Sequence, residues 1–201
     1  MAQDCCSPIS GNIVKVCGAK RGGMIKCLYA VSLCNIDKID VDSTTGEVID
    51  ISMKAQPSPA TTDYFWYEIG VKKNTHGFTN TATINDGGSK YFEQAVSFSI
   101  EGFDQPTKNA FNDMIDGEAV FIGISADGNA HVLGRLSGAE MTEGTIGTGV
   151  AVSDLFGGTA TFTAQEIEVT PSIIMDGSIT IEVQSSAEGA TAGDVITVTF
   201  D

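Results

Sequence analysis

Within the run Tyr91 to Ile100, the side chains of 95–100 alternate, with Ala95, Ser97 and Ser99 facing one way and Val96, Phe98 and Ile100 the other. A period of two marks a strand with one face in a core and the other in water. The same alternation runs through 47–53, from Glu47 to Met53. Residues 24–31 follow Gly22-Gly23 and are β-rich throughout, which places the start of regular structure there. Residues 64–71 are dense in aromatics and hold the only tryptophan, Trp66. They are expected to pack in the core as a strand instead of offering a ligand surface.

Turn chemistry pairs these runs. Asn85-Asp86-Gly87-Gly88 lies between strands at 75–84 and 91–100, and Ala126-Asp127-Gly128-Asn129 lies between strands at 119–124 and 130–136. Both are hairpin signals. Residues 42–46 read as a turn, and Gly157-Gly158 leads into a strand over 159–166. After Pro171 the composition shifts to a final hairpin, with strands at 178–183 and 194–200 joined through 185–190. One helix interrupts the pattern. Pro106 suits a first helical turn, Ala110, Phe111, Met114 and Ile115 recur at helical spacing, and Gly117 suits the stop. No repeat of 20–50 residues is present.

The predicted fold is therefore mainly β, of α+β type: an antiparallel β-sandwich or half-barrel with one short packed helix over 106–115 and an appended C-terminal hairpin. Three parts are expected, namely an N-terminal arm (1–22), a β domain (23–170) and a C-terminal extension (171–201). Pro57 and Pro59 keep residues 56–61 (Gln56, Pro57, Ser58, Pro59, Ala60, Thr61) out of any central ladder. That segment is expected to be a long exposed loop that orders against a neighbouring subunit.

Composition narrows the function. The hydrophobic fraction, 42%, is ample for a core, and 23 glycines against five prolines suit many tight turns. The net charge of −15 is lopsided. Residues 1–100 carry ten acids and nine bases, a balance of −1, whereas residues 101–201 carry sixteen acids and two bases, Lys108 and Arg135, a balance of −14. Such a field repels nucleic acid. Lys20-Arg21 is too short for a nucleic-acid patch. No run reaches the ~20 apolar residues of a membrane helix, so no membrane insertion is expected. The first residues lack an apolar core after a basic start, so synthesis in the cytosol is expected.

Candidate chemistry is sparse. Cys5, Cys6, Cys17, Cys27 and Cys34 are odd in number and do not show paired zinc spacing, which favours reduced thiols over disulfides or a metal site. Gly144-Thr145-Ile146-Gly147-Thr148-Gly149 has neither the Gly-Lys-Ser/Thr nor the following helix of a phosphate loop, and is expected to be a flexible connection between strands. Asp37, Asp40 and Asp42 imitate a calcium loop, but the glycine and the distal glutamate are misplaced, so weak adventitious calcium binding is the most expected of them. His131, between Ala130 and Val132, is expected to be a hydrogen-bonded structural histidine. No catalytic residue, cofactor or metal is expected, and a structural protein is favoured over an enzyme.

Four stretches, taken in order, resemble the tail-tube proteins of long-tailed bacteriophages, in particular tail-tube-like virion proteins of Bacteroidetes phages. They are 22–29 with Asn35-Ile36-Asp37-Lys38-Ile39 behind it; the strand 96–100 running into the helix 106–115; 120–124 with Asp127-Gly128-Asn129 and the strand to Leu136; and 147–166. The likeness covers roughly residues 22–170. The cysteine-bearing arm and the hairpin after Pro171 depart from it. The resemblance implies a virion tail protein, assembled in the host cytoplasm, whose subunits join edge to edge in six-fold rings stacked into a tube for the genome. Its implied partners are copies of itself and other tail proteins (terminator, tape measure, baseplate or hub), while DNA passes without specific binding. Ring closure would remove exposed sheet edges, and an acidic lumen would keep phosphates from sticking. Glu140 and Glu143 are the candidate lumen residues. The alternatives are the inner tube of a contractile injection system, which shares this fold, and a β-sandwich virion or surface binding module.

Overall fold

The computed structural model describes residues 24–55, 64–71, 75–85, 87–125, 128–150, 154–184 and 195–200. The chain is mainly β, with one α-helix among the described residues, and its curled antiparallel and mixed sheets form a half-barrel. Twelve strands are described: β1 (Met24–Ser32), β2 (Ile36–Val41), β3 (Val48–Met53), β4 (Trp66–Ile69), β5 (Gly77–Ile84), β6 (Lys90–Glu101), β7 (Ala119–Ser125), β8 (Ala130–Leu133), β9 (Glu140–Gly147), β10 (Gly157–Glu166), β11 (Thr180–Gln184) and β12 (Val195–Thr199). The helix α1 (Gln105–Ile115) lies between β6 and β7. Three sheets result, a six-stranded one ordered β12-β11-β4-β1-β7-β8, a four-stranded one ordered β5-β6-β10-β9, and the ribbon β2-β3. Among the described residues no helix is long and apolar enough to cross a membrane.

The six-stranded sheet is the middle layer, and its sequence shows why. In β1, Leu28 and Ala30 belong to the core shared with the four-stranded sheet, while Tyr29 and Val31 belong to a second core against the ribbon. In β7, Phe121 faces the first core, and Val120 and Ile122 face the second. A strand buried on both faces reads as a continuous apolar run, which is what 28–31 and 120–122 display. Strands β6 and β10 have one solvated face, so they alternate instead. Phe98, Phe121 and Phe162 fill the first core, with ring centroids 4.9 Å apart for Phe121–Phe162 and 6.0 Å for Phe98–Phe162. Trp66 is buried in the second core as expected, whereas its neighbour Tyr67 is exposed on the other side of the strand.

The C-terminal hairpin extends the middle sheet. It enters through a parallel pairing of β11 with β4, in which Val183 lies opposite Trp66. Residues 171–174 run along the margin of β8 and reach the ribbon. The Val132 amide donates to the Pro171 carbonyl (2.9 Å), the Ile173 amide to Ala130 (2.8 Å), and the Val48 amide to Ser172 (2.8 Å). The Ser172 hydroxyl is 3.2 Å from His131 Nδ1, which makes His131 the hydrogen-bonded structural residue expected of it.

Three expectations need correction. The strand after the 126–129 turn stops at Leu133, not Leu136. Gly134 turns the chain with φ +76°, and a Cβ there would sit 2.9 Å from the Ala139 amide nitrogen, so strand geometry cannot continue through it. The helical stripe is half as wide as its spacing suggests. Phe111 is buried and Met114 half-buried, while Ala110 and Ile115 are exposed, because α1 packs at the margin of the sheet, chiefly on β9. Residues 144–147 are not a flexible connection but the second half of β9, paired with β10 from Glu140 to Gly147.

One of the two glycines of β9, Gly144, is explained by that helix. A Cβ on Gly144 would lie 2.7 Å from Met141 Sδ and 3.0 Å from Phe111 Cζ. A strand glycine of this kind admits a close neighbour, here the Phe111 ring. Gly144→Ala is therefore expected to destabilise the fold by about 1–3 kcal/mol through overpacking. Urea denaturation measures this, and a loss below a few tenths would mean that α1 does not press on β9.

Candidate functional site

The register of the four-stranded sheet puts its odd-numbered β6 positions on the face turned away from the core. Ser97 pairs with Thr161 and Gly77, Ala95 with Thr163 and Thr79, Glu93 with Gln165 and Thr81, and Ser99 with Thr159. Strand β9 continues these rows, with Glu143 beside Thr161, Glu140 beside Thr163 and Thr145 beside Thr159. Thr142 is the extra residue of a bulge, which keeps Glu140 and Glu143 on one face although they are three apart. The result is a surface of hydroxyls and carboxylates.

Hydroxyl pairs cross-link the rows. Ser97 Oγ lies 3.1 Å from Thr161 Oγ1, and Thr145 Oγ1 lies 2.8 Å from Thr159 Oγ1. Glu140 and Glu143, the two acids singled out from sequence, are both exposed here. With Glu93 and Glu101 they make four carboxylates, and no lysine or arginine belongs to these described rows.

Both margins of this sheet are open among the described residues, since β5 and β9 each have one strand partner. The β5 margin carries Gly77-Phe78-Thr79-Asn80-Thr81-Ala82-Thr83-Ile84, eight residues without charge or proline. Proteins usually blunt an edge strand with charges, prolines or bulges, and β5 has none of these. The sequence signal was present in the uncharged Thr-x-Thr-x-Thr run, but only the topology makes it an edge. The other candidate, the loop 56–61, lies outside the described residues.

The remaining candidates have structural roles. Asp42 accepts from the amides of Thr44 (2.6 Å) and Thr45 (3.1 Å), bonds that hold its carboxyl below the usual aspartate range, while Asp40 pairs with Lys38. Burial pushes the Tyr29 hydroxyl well above the ordinary tyrosine range, as suits a core phenol. Cys27 is half-buried and Cys34 exposed, and no disulfide joins them. The described residues contain no group of three or more His, Cys, Asp or Glu side chains that could hold a metal ion.

The buried polar residues lie where the four-stranded sheet meets the turn after β8. Glu166 Oε1 accepts from the amides of Leu136 (2.8 Å) and Ser137 (2.9 Å) and from the Ser137 hydroxyl (3.2 Å). Gln94 accepts from the Gly134 amide (3.1 Å) and donates to the Glu168 carbonyl (2.9 Å). Arg135 forms an ion pair with Glu168 and donates to the Ile39 carbonyl (3.4 Å). Every group is committed to the protein's own backbone or to a neighbouring side chain, as in a structural clamp.

The chain matches no family model, no curated protein and no solved structure.

Proposed function

We propose that this chain is a structural virion protein that joins into rings of a phage tail tube, a conduit for genome delivery. The observation that carries the reading is the four-stranded sheet, with a face that holds no cation and two edge strands that lack a second strand partner among the described residues. All neighbours in it are antiparallel, so β5 and β9 run in opposite directions. In a ring whose axis follows the strands, β9 of one copy meets β5 of the next antiparallel, and four strands per copy preserve the alternation all the way round. This heterologous contact closes if the rotation closes, and it satisfies the free backbone groups of the uncharged β5 margin. Six-fold closure comes from the resemblance and not from the sheet itself.

The face with Glu140, Glu143 and the hydroxyls then lines the channel. Phosphates gain little from such a wall, whereas lysines there would release counterions and bind DNA. Electron microscopy of the purified protein should show rings or tubes, and a monomer at every concentration and salt would end the proposal. The double variant Glu140→Lys/Glu143→Lys should assemble but retain double-stranded DNA at low salt, where the parent does not. Retention unchanged in assembled particles would place these two acids outside the channel.

A further inference from the structure

The register gives the four-stranded sheet two ends, and both carry exposed apolar side chains. At one end Ile84 pairs with Lys90, and Ile167 follows Glu166 at the close of β10. Ile84 is 70% exposed and Ile167 77%. At the other end β6 finishes at Glu101 and β10 begins at Gly157, bringing together the loops before α1 and before β10. There the Gly102 amide donates to the Phe156 carbonyl (3.0 Å), and the rings of Phe103 and Phe156 meet edge to face at 6.0 Å. Lys108 Nζ lies 3.8 Å from the centre of the Phe103 ring. Phe156 is nonetheless 56% exposed. An aromatic ring held in place from behind and left open in front is typical of an interface anchor.

We propose that these two ends are complementary docking surfaces, and that the occupant of each is the opposite end of a second copy of this chain. The geometry favours a second copy because the patches lie at opposite ends of the same strands. Translation along the strands therefore brings Phe156 of one copy towards Ile84 and Ile167 of the next. The charges lean the same way, since exposed Lys90 accompanies the aliphatic end, while at the aromatic end exposed Glu101 and Asp104 outnumber Lys108, whose ammonium lies over the Phe103 ring. A contact of this head-to-tail kind has no closing rotation and propagates as a stack. The proposal rests on the ring reading above and supplies the surfaces by which one ring would meet the next.

The test uses two variants of the full chain, Phe156→Glu and the pair Ile84→Glu/Ile167→Glu, examined by electron microscopy and analytical ultracentrifugation beside the parent. Each variant should form single rings and no tubes, because loss of the anchor lowers ring–ring association by about tenfold or more. Mixed together they should form double rings and nothing longer, since the intact aliphatic end of the first fits the intact aromatic end of the second. Circular dichroism checks that each variant is folded, and Phe156→Ser replaces Phe156→Glu if the latter is not. Tubes that form unchanged from both variants would overturn the assignment and leave Phe156 to another partner. Mixtures that stay as single rings would overturn the complementarity. A parent that forms tubes in either case keeps the ring reading intact, whereas a parent that never forms rings ends that reading instead.

Discussion

Glu166→Ala is expected to destabilise the protein by about 2–4 kcal/mol, because it strands two amide donors in a partly buried turn at about 1–3 kcal/mol each. Glu166 is only 2% exposed, and a single oxygen of it accepts two amides and a hydroxyl from Leu136 and Ser137. Alanine removes that oxygen and leaves both amides in a partly buried turn without a partner. That turn also carries Arg135, which ties the end of β8 to Glu168 and to the ribbon at Ile39. Glu166→Gln keeps a carbonyl acceptor and should recover about half of the loss, because hydrogen bonds to a charged acceptor are about twice as strong as neutral ones. Urea denaturation of the three proteins decides the matter. An alanine variant within ~1 kcal/mol of the parent would mean that water replaces the carboxylate freely.

Phe162→Ala should cost a similar amount, about 3–5 kcal/mol. The Phe162 ring is fully buried, lies nearly parallel to Phe98 at 6.0 Å, and meets Phe121 of the middle sheet at 4.9 Å. It therefore touches both walls of the first core, and neither sheet can close over the hole without shifting its strands. Phe162→Leu should lose markedly less, since most of the volume remains. Equal losses from the two variants would show that ring–ring geometry, not filled space, governs this core.

Much of the fold was legible because its strands obey simple periods. The alternation of 95–100 marked the half-solvated β6, and the turn sequences at 85–88 and 126–129 pointed to strands that do pair, β5 with β6 and β7 with β8. The helix was legible from Pro106 and Phe111. What escaped was set by neighbours distant in sequence. Gly144 looks like a flexible point until Phe111 is placed above it, and Gly134 looks like a strand residue until its contact with Ala139 is known. The width of the helical face could not be read from Ala110 and Ile115, since both are apolar and both face solvent. At the candidate site, Glu140 and Glu143 could be chosen from charge, yet their shared face depends on the bulge at Thr142. The open margin at β5 depends on sheet order, which strand patterns do not encode.

The double burial of the middle sheet changes what holds its strands in place. In a sheet with one wet face, sliding a strand by one residue throws its apolar side chains into water, and polarity alone forbids the slip. In β1 the same slip would merely exchange Leu28 and Ala30 with Tyr29 and Val31, and both sets are apolar. The two cores must tell these pairs apart by shape, because the tyrosine fits on the side of the ribbon and not between the aromatic rings. Alignment of the central strands is thus a matter of volume and contour, and a substitution such as Ala30→Tyr could keep every hydrophobic position hydrophobic yet remove what fixes the register.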